Sequence, residues 1–92
     1  MAADPVHRRG DSNTAQGRAL GGIDSVLVNY QPIVVDGTGV SPHSPFLPPH
    51  LSAQTANGLK NVIANYIPIN VRGNPDTCAH PRDAGSPNVI AG

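Results

Sequence analysis

The 92-residue chain has no Trp, one Phe and two Tyr, so aromatic residues make up only 3% of it. That excludes a core built around large rings, and something besides burial must help hold so small a fold. Cysteine is as scarce. Cys78 stands alone, which rules out an internal disulfide but leaves a metal ligand. Neither sign of charge prevails, with six Lys/Arg against six Asp/Glu. No basic stripe exists to release counterions from nucleic acid, so that class of partner is not expected. Near-zero net charge also fits a protein that works inside an assembly. No apolar run approaches the roughly 18 residues of a membrane span. Behind Met1–Arg9 there is no apolar segment of roughly 7–15 residues, so a secretory signal is not expected.

Glycine and proline are plentiful, ten of each. Each Pro inside a helix costs about 3 kcal/mol, which excludes a helical bundle. A single turn-rich, all-β domain over residues 1–92 is what this composition leaves.

A repeat organises that domain. Residues Ser25–Gly37 lie over Asn61–Gly73 at an offset of 36, with seven of 13 positions identical. Asn29-Tyr30-x-Pro32-Ile33 and Asn65-Tyr66-x-Pro68-Ile69 carry the match, and Asn88-Val-Ile-Ala91 repeats Asn61-Val-Ile-Ala64. Gly10, Gly37 and Gly73 open the three units, approximately 6–36, 37–72 and 73–92. Units one and three align without a gap, whereas unit two carries about nine extra residues around Ser41–His50. Three homologous units imply a pseudo-threefold body. Within a unit, Val26–Val28 and Ile33–Val35 are β-branched runs separated by Asn29–Pro32, which predicts a short β-hairpin. Leu51–Ala56 has the composition for a turn or two of helix. Tyr30 and Tyr66 are expected to pack at the hairpin tips.

Four histidines complete the inventory of chemistry. His43 and His50 sit in the unit-two insertion, and His80 lies two residues from Cys78. In an extended segment residues i and i+2 point to one side, so Cys78 and His80 can face one ion. A bent loop lets His43 and His50 approach the same point. Three imidazoles and a thiolate make a closed tetrahedral site, the structural preference of zinc, with iron the other metal this donor set accepts. Ala15 and Gly17 occupy the matching positions of unit one, so the ligand types are not a feature of the scaffold. His7, beside Arg8-Arg9, is expected on the surface.

No acid–base or nucleophile signature accompanies these residues. Asp11, Asp24, Asp36, Asp76 and Asp83 are scattered, and Gly21-Gly22 has no phosphate-loop lysine after it. An enzyme is therefore not expected. A small zinc hydrolase would need water as one ligand and a carboxylate nearby, which Asp76 or Asp83 would have to supply. A free-standing adaptor binding through its hairpin face is the other class left open.

Gly10-Asp11, then Gly-x-x-Ser-Val-Leu-Val-Asn and a Pro-led second strand, resemble the unit of PAAR-repeat proteins, as does Thr77–Ala91. The resemblance spans nearly all of residues 6–92. It implies a small cone of three pseudo-threefold β-hairpin units with zinc near the apex, held by His43, His50, Cys78 and His80. It also implies a function: one such tip caps a trimeric β-helical spike and sharpens it for piercing a target-cell membrane. The Pro-Ala-Ala-Arg signature is replaced by Pro32–Val35 and Pro68–Val71, which favours a phage tail in the virion over a type VI secretion system. No toxin domain follows Gly92, so a bare tip is expected. Leu27, Ile33, Ile63, Ile69 and Ile90 are the candidates for the core and for the base that meets the spike.

Overall fold

The computed structural model describes residues 4–43, 46, 48, 50 and 52–91. Among these residues the protein is all-β with no helix, and its strands run β1 (Asp4–Pro5), β2 (Ile23–Val28), β3 (Gln31–Ile33), β4 (Leu59–Ala64), β5 (Ile67–Ile69) and β6 (Ile90–Ala91). They form three two-stranded antiparallel ribbons: β2–β3, β4–β5 and β1–β6. The helical turn expected at 51–56 is absent from residues 52–56, and Leu51 lies outside the described residues. Residues 53–54 instead bond across to the preceding loop: Gly39 bridges Gln54, and the Val40 N–H donates to the Ala53 carbonyl at 2.9 Å.

The first two ribbons are near copies. Leu27 faces Pro32 and Val28 faces Gln31, while Ile63 faces Pro68 and Ala64 faces Ile67. Each then shifts register between the first and fifth residues of its longer strand, at Ile23/Leu27 and at Leu59/Ile63. The connecting loops are shorter than the four residues expected, because only Asn29-Tyr30 and Asn65-Tyr66 separate the strands. Both residues of each pair are left-handed, at φ 52° and 67° in either loop. Positive φ at both central residues matches the type I′ turn, which follows the twist of a hairpin and ordinarily takes Asn-Gly. Tyr in the glycine position costs on the order of 1 kcal/mol. Neither ring recovers that by packing, since Tyr30 and Tyr66 are each 92% exposed. The expected packing at the tips is therefore not made.

The third ribbon is built from both halves of the chain. β6 pairs with β1, with Pro5 facing Ile90 and Asp4 facing Ala91. Pro5 thus stands where Pro32 and Pro68 stand in the other two ribbons. A proline there has no N–H to offer the ladder, and the ribbon has no further strand to need one. Its carbonyl is used instead: those of Pro32, Pro68 and Pro5 accept from the N–H groups of Arg9, Asp36 and Arg72 at 3.0, 3.0 and 2.9 Å.

Just beyond these prolines the three segments close a ring. The His7 N–H donates to the Asn70 carbonyl (2.9 Å), Asn70 to Val34 (2.8 Å) and Val34 back to His7 (3.1 Å). All three residues are buried. Around them pack Val6, Ile33 and Ile69 with Val28, Val35, Ala64 and Val71, the main apolar core. His7 is accordingly not a surface residue: it is 2% exposed. The adjoining arginines are a poor guide to its place, because the central segment is covered on both sides. Its Nδ1 lies 2.8 Å from the Ala84 carbonyl and donates to it, which satisfies the buried ring.

Candidate metal centre

Unit two's insertion and the turn at 76–80 meet beside a second, smaller core of Val40, Ala53 and Cys78. There His43, His50, Cys78 and His80 each present one ligand atom, and all four atoms lie within 4.8 Å of one another. The four residues singled out in the sequence are the four brought together. His43 and Cys78 are buried, and His50 and His80 are half-buried. The three imidazole rings surround one point, with centroids 4.8–5.4 Å apart.

Several details fit this set to a metal. The His43 Nδ1 donates to the Ser41 carbonyl at 2.8 Å, which fixes the tautomer and turns the Nε2 lone pair inward. That Nε2 lies 3.3 Å from the Cys78 Sγ. A tetrahedral site with 2.0–2.3 Å bonds has edges of about 3.3–3.8 Å, so this pair already stands at ligand–ligand distance. The His50 Nδ1 and the His80 Nε2 are buried without a hydrogen-bond partner. Buried ring nitrogens rarely go unpaired, and a cation answers both at once. Burial, then the neighbouring His80 and His43, hold His50 below the ordinary histidine pKa. A ring kept neutral keeps its lone pair for coordination. The donor set, three nitrogens and a sulfur, suits zinc or iron rather than magnesium or calcium.

The local chain differs from the extended segment expected around Cys78. The Ala79 N–H donates to the Asp76 carbonyl at 2.9 Å, and the Asp76 N–H donates to the His80 carbonyl at 3.0 Å. Ala79 is left-handed, at φ 71°. A tight turn, not strand alternation, places Cys78 and His80 together. A buried ion pair clamps its base, with the Arg82 Nη1 2.8 Å from the Asp76 Oδ1. The Arg82 Nε and Nη1 also donate to the carbonyls of Val71 and Ala56, both at 2.8 Å. Asp76, weighed above as a hydrolytic carboxylate, is buried and committed to Arg82. Asp83 accepts from the Ser12 hydroxyl at 2.7 Å.

Gly17 is a part of the site that spacing did not reveal. A Cβ built there would lie 2.5 Å from the His43 Nδ1 and 2.9 Å from the Val40 Cγ1. Unit one lacks a side chain at the place where unit three carries His80, and the His43 ring occupies that space. Only the alignment of Gly17 over His80 hinted at it.

The structure divides the five apolar residues expected at the core and base. Ile33 and Ile69 are buried in the main core and are not available to a partner. Leu27, Ile63 and Ile90 are exposed at 56%, 57% and 62%. No protein-family model matches this chain, and no curated protein matches it.

Proposed function

We propose that this protein is a metal-stapled, PAAR-like tip that caps a trimeric β-helical spike in a contractile phage tail. One observation carries the reading. Leu27, Ile63 and Ile90 occupy matching places in three ribbons, each opposite a proline, and are exposed almost equally. One chain thus offers three like apolar contacts, which is what a single cap needs to meet three identical chains. The backbone ring through His7, Val34 and Asn70 supports the same pseudo-threefold reading. The outer edges of β2 and β4, which pair on one side only among the described residues, add backbone groups through which a β-structured partner can extend its hydrogen bonding.

On this reading the cluster is structural. Zinc bound by His43, His50, Cys78 and His80 would join the insertion to unit three and keep the Pro- and Ser-rich loop from splaying when the cone meets a target-cell membrane. Four protein donors leave no position for a catalytic water, so the metal staples and catalyses nothing. The virion is the expected site of action. Native mass spectrometry of the protein mixed with a trimeric β-helical spike fragment tests this. One tip per three spike chains is expected; three tips per trimer, or no complex, would contradict it.

A further inference from the structure

The two hairpin tips hold the least explained residues in the fold. Tyr30 and Tyr66 stand in the glycine position of a type I′ turn, both at φ 67°, and both are 92% exposed. Nothing among the described residues repays that conformation. Strained residues cluster at functional sites and ligand clamps. Here the same strain, the same ring and the same preceding Asn occur twice. Charge does not repeat with them: Asp24 in β2 corresponds to Lys60 in β4. Apart from the Asn of each turn, what the two hairpins share is apolar and aromatic.

We infer that Tyr30 and Tyr66 are binding anchors, each entering a cleft that the partner presents more than once because it is assembled from identical chains. The inference rests on the spike-cap reading for the identity of that partner. Around Tyr30 the surface is fixed and polar. The Asn29 Nδ2 donates to the Asn88 Oδ1 at 2.8 Å, and the Arg8 Nη1 donates to the Asn29 Oδ1 at 3.3 Å. Such a rim around a rigid aromatic suits a protein interface, where Tyr is a preferred anchor. A lipid interior would strip water from Asn29, Asn88 and Arg8 without replacing it.

The test is the double variant Tyr30→Gly/Tyr66→Gly, compared with Tyr30→Phe/Tyr66→Phe. Asn-Gly suits the turn better than Asn-Tyr, so the glycine variant should melt a few degrees higher than wild type. Its affinity for a trimeric β-helical spike fragment should fall by about 30-fold or more, the loss typical of removing hot-spot residues. The phenylalanine variant should bind within a few-fold of wild type. Unchanged affinity in the glycine variant would overturn the inference and leave the spike-cap reading standing. If wild type does not bind the trimer, that reading falls and takes this role with it. Loss of binding to phosphatidylcholine vesicles alone, with trimer binding intact, would overturn it in favour of a membrane contact.

Discussion

His7 is the residue on which the central ring turns. Its backbone gives one N–H and one carbonyl to the ring, and its imidazole is sealed beside it against the Ala84 carbonyl. Burial dominates the ring's titration and lowers its pKa from 6.5, although the Ala84 hydrogen bond, Asp11 and Asp76 pull upward and Arg82 pulls down with burial. The folded chain therefore refuses a proton that the unfolded chain accepts, and stability rises with pH across the window just below 6.5. As pH falls through that window towards the folded-state value, this contribution is lost. Urea midpoints at pH 7.5 and pH 5 should fall with acidification in wild type and fall less in His7→Asn. Equal slopes would mean that His7 does not titrate with unfolding. The role was not legible in the sequence, because His7 carries no repeat signal and its equivalents, Val34 and Asn70, are chemically unlike it. The ligand residues were legible, because a lone thiol and three histidines falling in two short stretches are conspicuous in a chain with so little other chemistry.

At the scale of the element, the hairpins were readable and their closure was not. Pro-led second strands and Asn-Tyr loops identify β2–β3 and β4–β5, since β-branched runs around a tolerant turn have few other uses. The third ribbon escaped because its strands lie at opposite ends of the chain, and local pattern cannot join Pro5 to Ile90. The ribbons share one further demand. A Cβ on Gly58 would lie 2.6 Å from the Ile69 carbonyl oxygen, and one on Gly22 would lie 2.7 Å from that of Ile33. Backbone cannot give way as a side chain can, so Gly58→Ala should cost about 1–3 kcal/mol in chemical unfolding. Gly39→Ala places its Cβ 3.8 Å from the Leu20 Cδ1 and should change stability by less than about 0.5 kcal/mol. Equal costs at both positions would show that the close approach in the ribbons is not what glycine is there for.

At the scale of the molecule, the chain is too poor in large side chains to rely on burial alone. The backbone ring ties the three ribbons at the centre, and a metal at the His/Cys cluster, as proposed, would tie the unit-two insertion to unit three. The buried Asp76–Arg82 pair braces the turn that carries two of the four ligands. Structural zinc contributes on the order of 10 kcal/mol to small folds at neutral pH, comparable with the whole stability of a domain this size. Metal content per chain, with melting before and after chelation, is therefore the most direct test of a metal-stapled tip. The account predicts one tightly held zinc per chain and a melting temperature that falls by about 20 °C or more when it is removed. Protein without stoichiometric metal, melting unchanged by chelation, would contradict it.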